Sequence, residues 1–193
     1  MRHTAFLAAG IGLLFVQANL FRLLRLLFSL LSSVLEVFHL HQGDVSVAGF
    51  VPSLVLPLIL FMGVQEYSLA RGAGVAFALG YVSDVLGATP VGLYTFTFVL
   101  LFVLARSLGV RLAAQATWMQ VLLVTGFSLT ESIIILVLLA IFGRDTWVPK
   151  ALYPLSLPHA LATALVSPLV FRLARRLHGA TVPVARGPQG GAT

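Results

Sequence analysis

Three ionisable side chains interrupt long apolar stretches of this sequence: Asp84, Glu131 and His159. An ionisable residue inside a membrane helix is energetically costly, so it marks a functional site by default. At 1.5 Å per residue, Asp84 lies about 20 Å along its helix from Arg71, and Glu131 lies about 22 Å along its own helix from Ala116. These groups are therefore our candidates for binding a proton, a small ligand or a polar group of a partner.

Each of the three also has a structural explanation. Asp84 precedes Gly87 and Pro90, and we favour a role in capping or packing that turn over a ligand or proton site. Glu131 could form a hydrogen bond between helices as a neutral acid. For His159 we favour a satisfied interior polar group over a metal ligand.

The spacing of small and polar residues predicts which helix faces point into a bundle. Gly72, Ala76 and Gly80 form a row at steps of four, and such a row lets another helix approach closely. Asp84 continues the row, so we expect it to face the bundle. Polar residues share one face of two later segments: Thr117, Gln120, Ser128 and Glu131, and then Ser156, His159, Thr163 and Ser167. Arg144 lies close in sequence to the end of the segment that carries Glu131, and we include it in the candidate polar site.

The composition excludes an ordinary soluble protein. Hydrophobic residues make up 59% of the chain and charged residues 9%, whereas a soluble domain carries about 25% charged residues. The mean hydropathy is +1.02. The net charge of +6 comes mostly from basic residues scattered between apolar runs, which is typical of loops that set membrane topology rather than of nucleic-acid binding. The chain has no cysteine, which excludes Cys-ligated metal or haem.

Six apolar runs approach the length of a bilayer span, about 20 residues. They predict an all-α, polytopic membrane protein with six transmembrane helices. The spans are Thr4 to about Leu20, Val47 to Val64, Gly72 to Leu86, Val91 to Ala105, Ala116 to Phe142 and about Leu152 to Leu173. An excess of basic residues in alternate connections favours both termini in the cytoplasm. In this orientation the candidate polar site lies toward the outer face.

The sequence predicts a single membrane domain, residues 1–177, followed by a tail, residues 178–193. Residues 20–40 carry a polar stripe on an otherwise apolar helix, which favours an amphipathic helix in the outer interface over a crossing helix. This helix is either separate from the first span or continuous with it. Residues 178–193 are rich in Gly, Pro and Ala, and we expect a disordered cytoplasmic tail. Three arginines after the last span predict an anchor for its inner end in anionic lipid: Arg172, Arg175 and Arg176.

Motifs for catalysis are missing from the sequence. It contains no G-x-S-x-G, no H-E-x-x-H and no Walker A loop, so we expect neither an enzyme nor a cofactor. His39, His41 and Asp44 could form a metal site in an outer loop. We favour an ordinary solvated loop there and predict no metal.

One stretch carries a specific family resemblance. Residues 80–94 contain a Gly-rich span end that closes in Asp84, a short Gly/Pro turn and a Gly-Leu-Tyr start of the next span. This pattern resembles the signature of the rod shape-determining protein MreD family. Weaker similarities lie before and after this stretch, at Gln17–Leu20, Phe50–Leu54, Glu131 and Thr163–Leu169. Thr163 stands where the family usually has Asn.

The resemblance implies a non-catalytic subunit of the cell-elongation machinery in a bacterial inner membrane. It also implies a six-helix fold similar to the substrate-binding subunits of energy-coupling-factor transporters. The implied partners are an MreC-like single-span protein and, through it, the MreB cytoskeleton, the RodA glycosyltransferase and a penicillin-binding transpeptidase. The alternative function is the substrate-binding subunit of a vitamin transporter. We expect contact with membrane lipid and none with nucleic acid.

Overall fold

Helices account for nearly all of the described residues. The computed structural model describes residues 2–37, 51–65, 68–87, 90–108, 117–142 and 156–181. Its helices are α1 (Arg2–Val37), α2 (Val55–Val64), α3 (Leu69–Leu86), α4 (Leu93–Ser107), α5 (Thr117–Phe142) and α6 (Ser156–Thr181). The expected all-α class is confirmed for these residues.

Three helices in the described part of the chain are long and apolar enough to cross a membrane: Leu69–Leu86, Thr117–Phe142 and Ser156–Ala180. Shorter apolar helical segments are Thr4–Leu20, Val55–Val64 and Leu93–Ser107. The helices α3, α4 and α5 begin and end within three residues of the expected spans, because a long apolar run bounded by Gly, Pro or charged residues defines a helix well.

The first helix is longer than the expected first span. α1 runs from Arg2 to Val37, about 54 Å at 1.5 Å per residue, whereas the expected span ended near Leu20. Phe6 and Leu14 are buried on one face of the first part of α1. The backbone of residues 20–37 continues α1, which agrees with the alternative that the amphipathic helix is continuous with the first span; no Gly or Pro interrupts that part of the sequence.

The second helix is short and central. All ten residues of α2 are buried, and it packs against each of the other five helices. The expected second span began at Val47, but residues 51–54 are not helical, and residues 47–50 lie outside the described part. Pro52 explains the late start, because proline lacks a backbone donor and disfavours helical backbone in the preceding residue.

The last helix continues past the expected end of its span. α6 reaches Thr181, so the tail boundary expected at His178 falls inside the helix. The Leu, Ala and Arg residues that follow the apolar run are good helix formers, and they extend it. Residues 182–193 of the expected tail lie outside the described part.

One end of the bundle is marked by an aromatic cluster. The Phe61 ring near the end of α2 stacks on Phe6 of α1 with centroids 6.2 Å apart, and it meets the Phe171 ring of α6 edge-on at 5.9 Å. Near the same end, Gly63 of α2 lies against the backbone of Phe102 in α4. This end also carries described arginines from three helices: Arg71, Arg106, Arg172, Arg175 and Arg176. It corresponds to the end that the charge distribution assigned to the cytoplasm.

Candidate functional site

The carboxylate of Asp84 joins the end of α3 to the start of α4. Its Oδ1 accepts the backbone N–H of Tyr94 at 2.7 Å. Its Oδ2 accepts the backbone N–H of Gly92 at 2.9 Å and both the backbone N–H and the hydroxyl of Thr95, at 3.2 and 2.7 Å. Asp84 is only 1% exposed. Four donors thus converge on one buried carboxylate.

These hydrogen bonds replace the cap that α4 lacks in its own sequence. The first backbone N–H groups of a helix have no partner within the helix. The N-cap position is Gly92, which has a left-handed φ of 104° and no side-chain cap. Asp84 therefore supplies the cap from the preceding helix, and its negative charge complements the positive end of the α4 dipole.

The close approach of α3 and α4 depends on Gly80, one turn before Asp84. A Cβ atom on Gly80 would lie 2.5 Å from the Cα of Thr95 and 2.8 Å from its backbone nitrogen. Gly72 lies against the ring of Phe102, and Ala76 between them is fully buried. The helix that approaches this row of small residues is the chain's own α4.

A second polar cluster surrounds the non-helical lead-in to α2. The imidazole of His159 donates from Nδ1 to the carbonyl oxygen of Val51 at 2.7 Å. The hydroxyl oxygen of Thr163 accepts the backbone N–H of Ser53 at 2.9 Å. Gln17 of α1 accepts the backbone N–H of Leu54 through Oε1 at 3.0 Å. The hydroxyl of Ser53 accepts the backbone N–H of Leu56 at 3.4 Å.

These contacts explain how a break in helical structure persists inside an apolar bundle. Non-helical backbone at membrane depth must find hydrogen-bond partners within the protein. Here α1 and α6 provide them through side chains, and Pro52 removes one donor altogether. Since a carbonyl only accepts, the contact to Val51 places the proton of the neutral imidazole on Nδ1 of His159.

Glu131 lies on the buried face of α5. That face consists of Gln120, Val124, Phe127, Ser128 and Glu131. The side chain of Glu131 is 3% exposed, and its Oε2 atom has no hydrogen-bond partner among the described residues. The phenol of Tyr94, at the start of α4, lies within electrostatic range of both Glu131 and Asp84.

The candidate residues therefore separate into two groups. Asp84 and Glu131 flank the start of α4, with Tyr94 within range of both. His159 instead contacts the lead-in to α2, and Arg144 lies outside the described residues. Whether any of them contacts a partner or ligand stays a prediction.

Several contributors to these clusters were not proposed as site residues: Gln17, Ser53, Tyr94, Thr95 and Thr163. The sequence placed Thr163 only on the polar face shared with His159, and Gln17, Ser53 and Tyr94 only within the stretches that resemble the family. Two signals were present in the sequence. Tyr94 and Thr95 directly follow Gly92 and Leu93, and Gln17 and Asn19 are two amides near the end of the first apolar run. The partners of Gln17 and Thr163 lie 37 and 110 positions away along the chain, so spacing alone does not pair them.

No group of three or more His, Cys, Asp and Glu residues that could hold a metal ion occurs within the described ranges. The residues His39, His41 and Asp44, considered for a metal site, lie outside those ranges. The three arginines predicted as a membrane anchor, Arg172, Arg175 and Arg176, are exposed near the end of α6.

Comparison with known proteins places these features in one family. No curated protein and no solved structure matches the chain. The model of one family, described as rod shape-determining protein MreD, matches residues 17–177. The match includes Gln17, the Asp84-capped turn, Glu131 and the α6 contacts to the α2 lead-in. The chain therefore belongs to the rod shape-determining protein MreD family.

Proposed function

We propose that this protein is a non-catalytic membrane subunit of the bacterial cell-elongation complex. It holds an MreC-like single-span protein and, through it, the cytoskeleton and the peptidoglycan synthases. The family match over residues 17–177 is the observation that carries this proposal. In this account the chain crosses the inner membrane six times, with both termini in the cytoplasm.

The structure supports a scaffold through the way it fixes the α3–α4 hairpin. Asp84, at the end of α3, accepts hydrogen bonds from backbone N–H groups at the start of α4. Gly80 lets the two helix backbones come into contact. A hairpin held at both points presents its outer surface in one fixed geometry. Such preorganisation lowers the ordering cost of binding a partner.

The proposed contact surface is the exposed face of α3. Phe77, Tyr81 and Val85 lie at steps of four, with exposed fractions of 55%, 50% and 60%. Tyr81 and Val85 also fall within the stretch that carries the family resemblance. We propose that the transmembrane helix of the single-span partner packs along this face, since helix pairs in membranes associate by close side-chain packing.

Co-purification tests this placement. The tagged protein is isolated from native membranes with the single-span partner, and bound partner is measured for Tyr81→Ala with Val85→Ala. The matched control is Leu165→Ala, an exposed α6 residue at 78%. Loss of the partner in the α3 variant alone supports the contact surface. Equal recovery in both variants, at normal expression, contradicts it.

The same preparation tests the overall function against the alternative. Mass spectrometry of the purified protein should detect the partner and no stoichiometric small molecule. A vitamin-like ligand at one per chain would contradict the scaffold and support a transport subunit instead.

A further inference from the structure

On the buried face of α5, two side-chain oxygen atoms have no hydrogen-bond partner among the described residues. They are Oε2 of Glu131 and Oγ of Ser128. The two residues are separated by three positions, so they lie on the same helix face, about 4.5 Å apart along the axis. Ser128 is fully buried and Glu131 nearly so. Buried polar atoms in folded proteins are almost always paired, and an unpaired one calls for an explanation.

Other hydroxyl side chains of α5 form a hydrogen bond within the helix that Ser128 does not form. Thr125, Thr130 and Ser132 each donate to the carbonyl oxygen four residues earlier, at 2.8, 2.9 and 3.1 Å. Such a bond to the residue's own helix is the usual solution for a hydroxyl in an apolar helix. Ser128 is more deeply buried than these three residues, yet its hydroxyl makes no such bond. The hydroxyl is therefore directed into the bundle, on the same face as Glu131.

No described residue offers a positive charge that would compensate the carboxylate of Glu131. In the described part of the chain, no cationic side chain interacts with its carboxyl. The nearby ionisable groups are Tyr94 of α4 and, beyond it, Asp84, and neither is positive. Asp84 directs its oxygens to the start of α4. An isolated carboxylate in an apolar interior is far less stable than the neutral acid.

We propose that Ser128 and Glu131 form a buried site that binds one water molecule, with Glu131 present as the neutral acid. Water both donates and accepts, so it can satisfy a hydroxyl and a carboxylic acid at the same time. The site lies beside the start of α4 and is independent of the exposed α3 face proposed for the partner.

Reaction with a membrane-soluble carbodiimide tests the neutral acid. The protonated carboxyl transfers its proton to a reagent nitrogen while its oxygen adds to the central carbon, and the acyl group then migrates to nitrogen without a leaving group. The purified protein is treated with dicyclohexylcarbodiimide, and peptides are analysed for addition of the whole reagent. We expect modification at Glu131 and none at Asp84, which is an internal control of similar burial. Equal modification of both acids contradicts the proposal.

Infrared difference spectroscopy tests both the neutral acid and the bound water, and it does not require a reagent to reach the buried site. The carbonyl band of a neutral carboxylic acid should be present in the wild type and absent in Glu131→Gln. A band of weakly bonded water that shifts in ¹⁸O-labelled water should be lost in Ser128→Ala. Thr125→Val is the matched control, because that hydroxyl is already bonded within the helix, and it should retain both bands. Absence of the acid band overturns the proposal, and an acid band without a water band overturns the water site.

Discussion

Asp84 accepts the backbone N–H of Tyr94 at 2.7 Å, across a turn that separates the two residues by ten positions. With the contacts to Gly92 and Thr95, this makes one acidic side chain of α3 the cap of α4. The motif that carries the family resemblance, residues 80–94, thus has a structural role. It determines the geometry of the α3–α4 hairpin, whose exposed face we propose for the partner.

Replacing Asp84 should destabilise the hairpin strongly. Asp84→Asn keeps the size of the side chain but turns an amide N–H₂ toward backbone donors, and hydrogen bonds to a charged group are worth about 1.5–3 kcal/mol. Thr95→Val removes one hydroxyl donor and should cost about 0.5–1.5 kcal/mol. Thermal unfolding in detergent measures both. Equal unfolding midpoints for wild type and Asp84→Asn would show that the cap is not needed.

Adding a methyl group at Gly80 should force α3 and α4 apart. A Cβ there would lie 2.5 Å from a backbone atom of α4, and overpacking of this kind costs about 1–3 kcal/mol. Gly126→Ala is the control, because nothing lies within 4 Å of its Cβ position and alanine favours a helix by about 1 kcal/mol over glycine. The two variants should shift the unfolding midpoint in opposite directions, and a stabilised Gly80→Ala would refute the close contact.

The left-handed backbone at Gly92 makes a separate prediction. Its φ is 104°, and a non-glycine residue in such a conformation carries strain of about 1–3 kcal/mol. Gly92→Ala should lower the unfolding midpoint even though no atom lies within 4 Å of the added Cβ. Gly74→Ala, equally open but at ordinary helical φ, should not. Similar midpoints for the two variants would argue against the strained turn.

Thr163 should matter through its oxygen rather than its methyl group. Thr163→Val has the same shape but leaves the buried N–H of Ser53 without an acceptor, which costs about 1–3 kcal/mol. Thr163→Ser keeps the oxygen and should unfold at nearly the wild-type temperature. If valine is tolerated and serine is not, packing rather than hydrogen bonding holds the α2 lead-in.

The sequence predicted the helices better than it predicted their contacts. Local apolar runs define α3, α4 and α5, and the small-residue row indicated which face of α3 is buried. The late start of α2 was missed, because the side chains that stabilise residues 51–54 come from Gln17, His159 and Thr163, far along the chain. The continuity of α1 through residues 20–37 was left open by the sequence, because the polar stripe is typical of an interfacial helix while no Gly or Pro in that stretch ends the helix.

As proposed, the protein maintains rod shape through its membrane complex. The direct measurement is cell width and length by microscopy after deletion of its gene from its own bacterium. We predict that the deleted cells round up, that the wild-type gene restores rods, and that Asp84→Ala does not. Deleted cells that remain rods, with unchanged width and growth, would contradict the account.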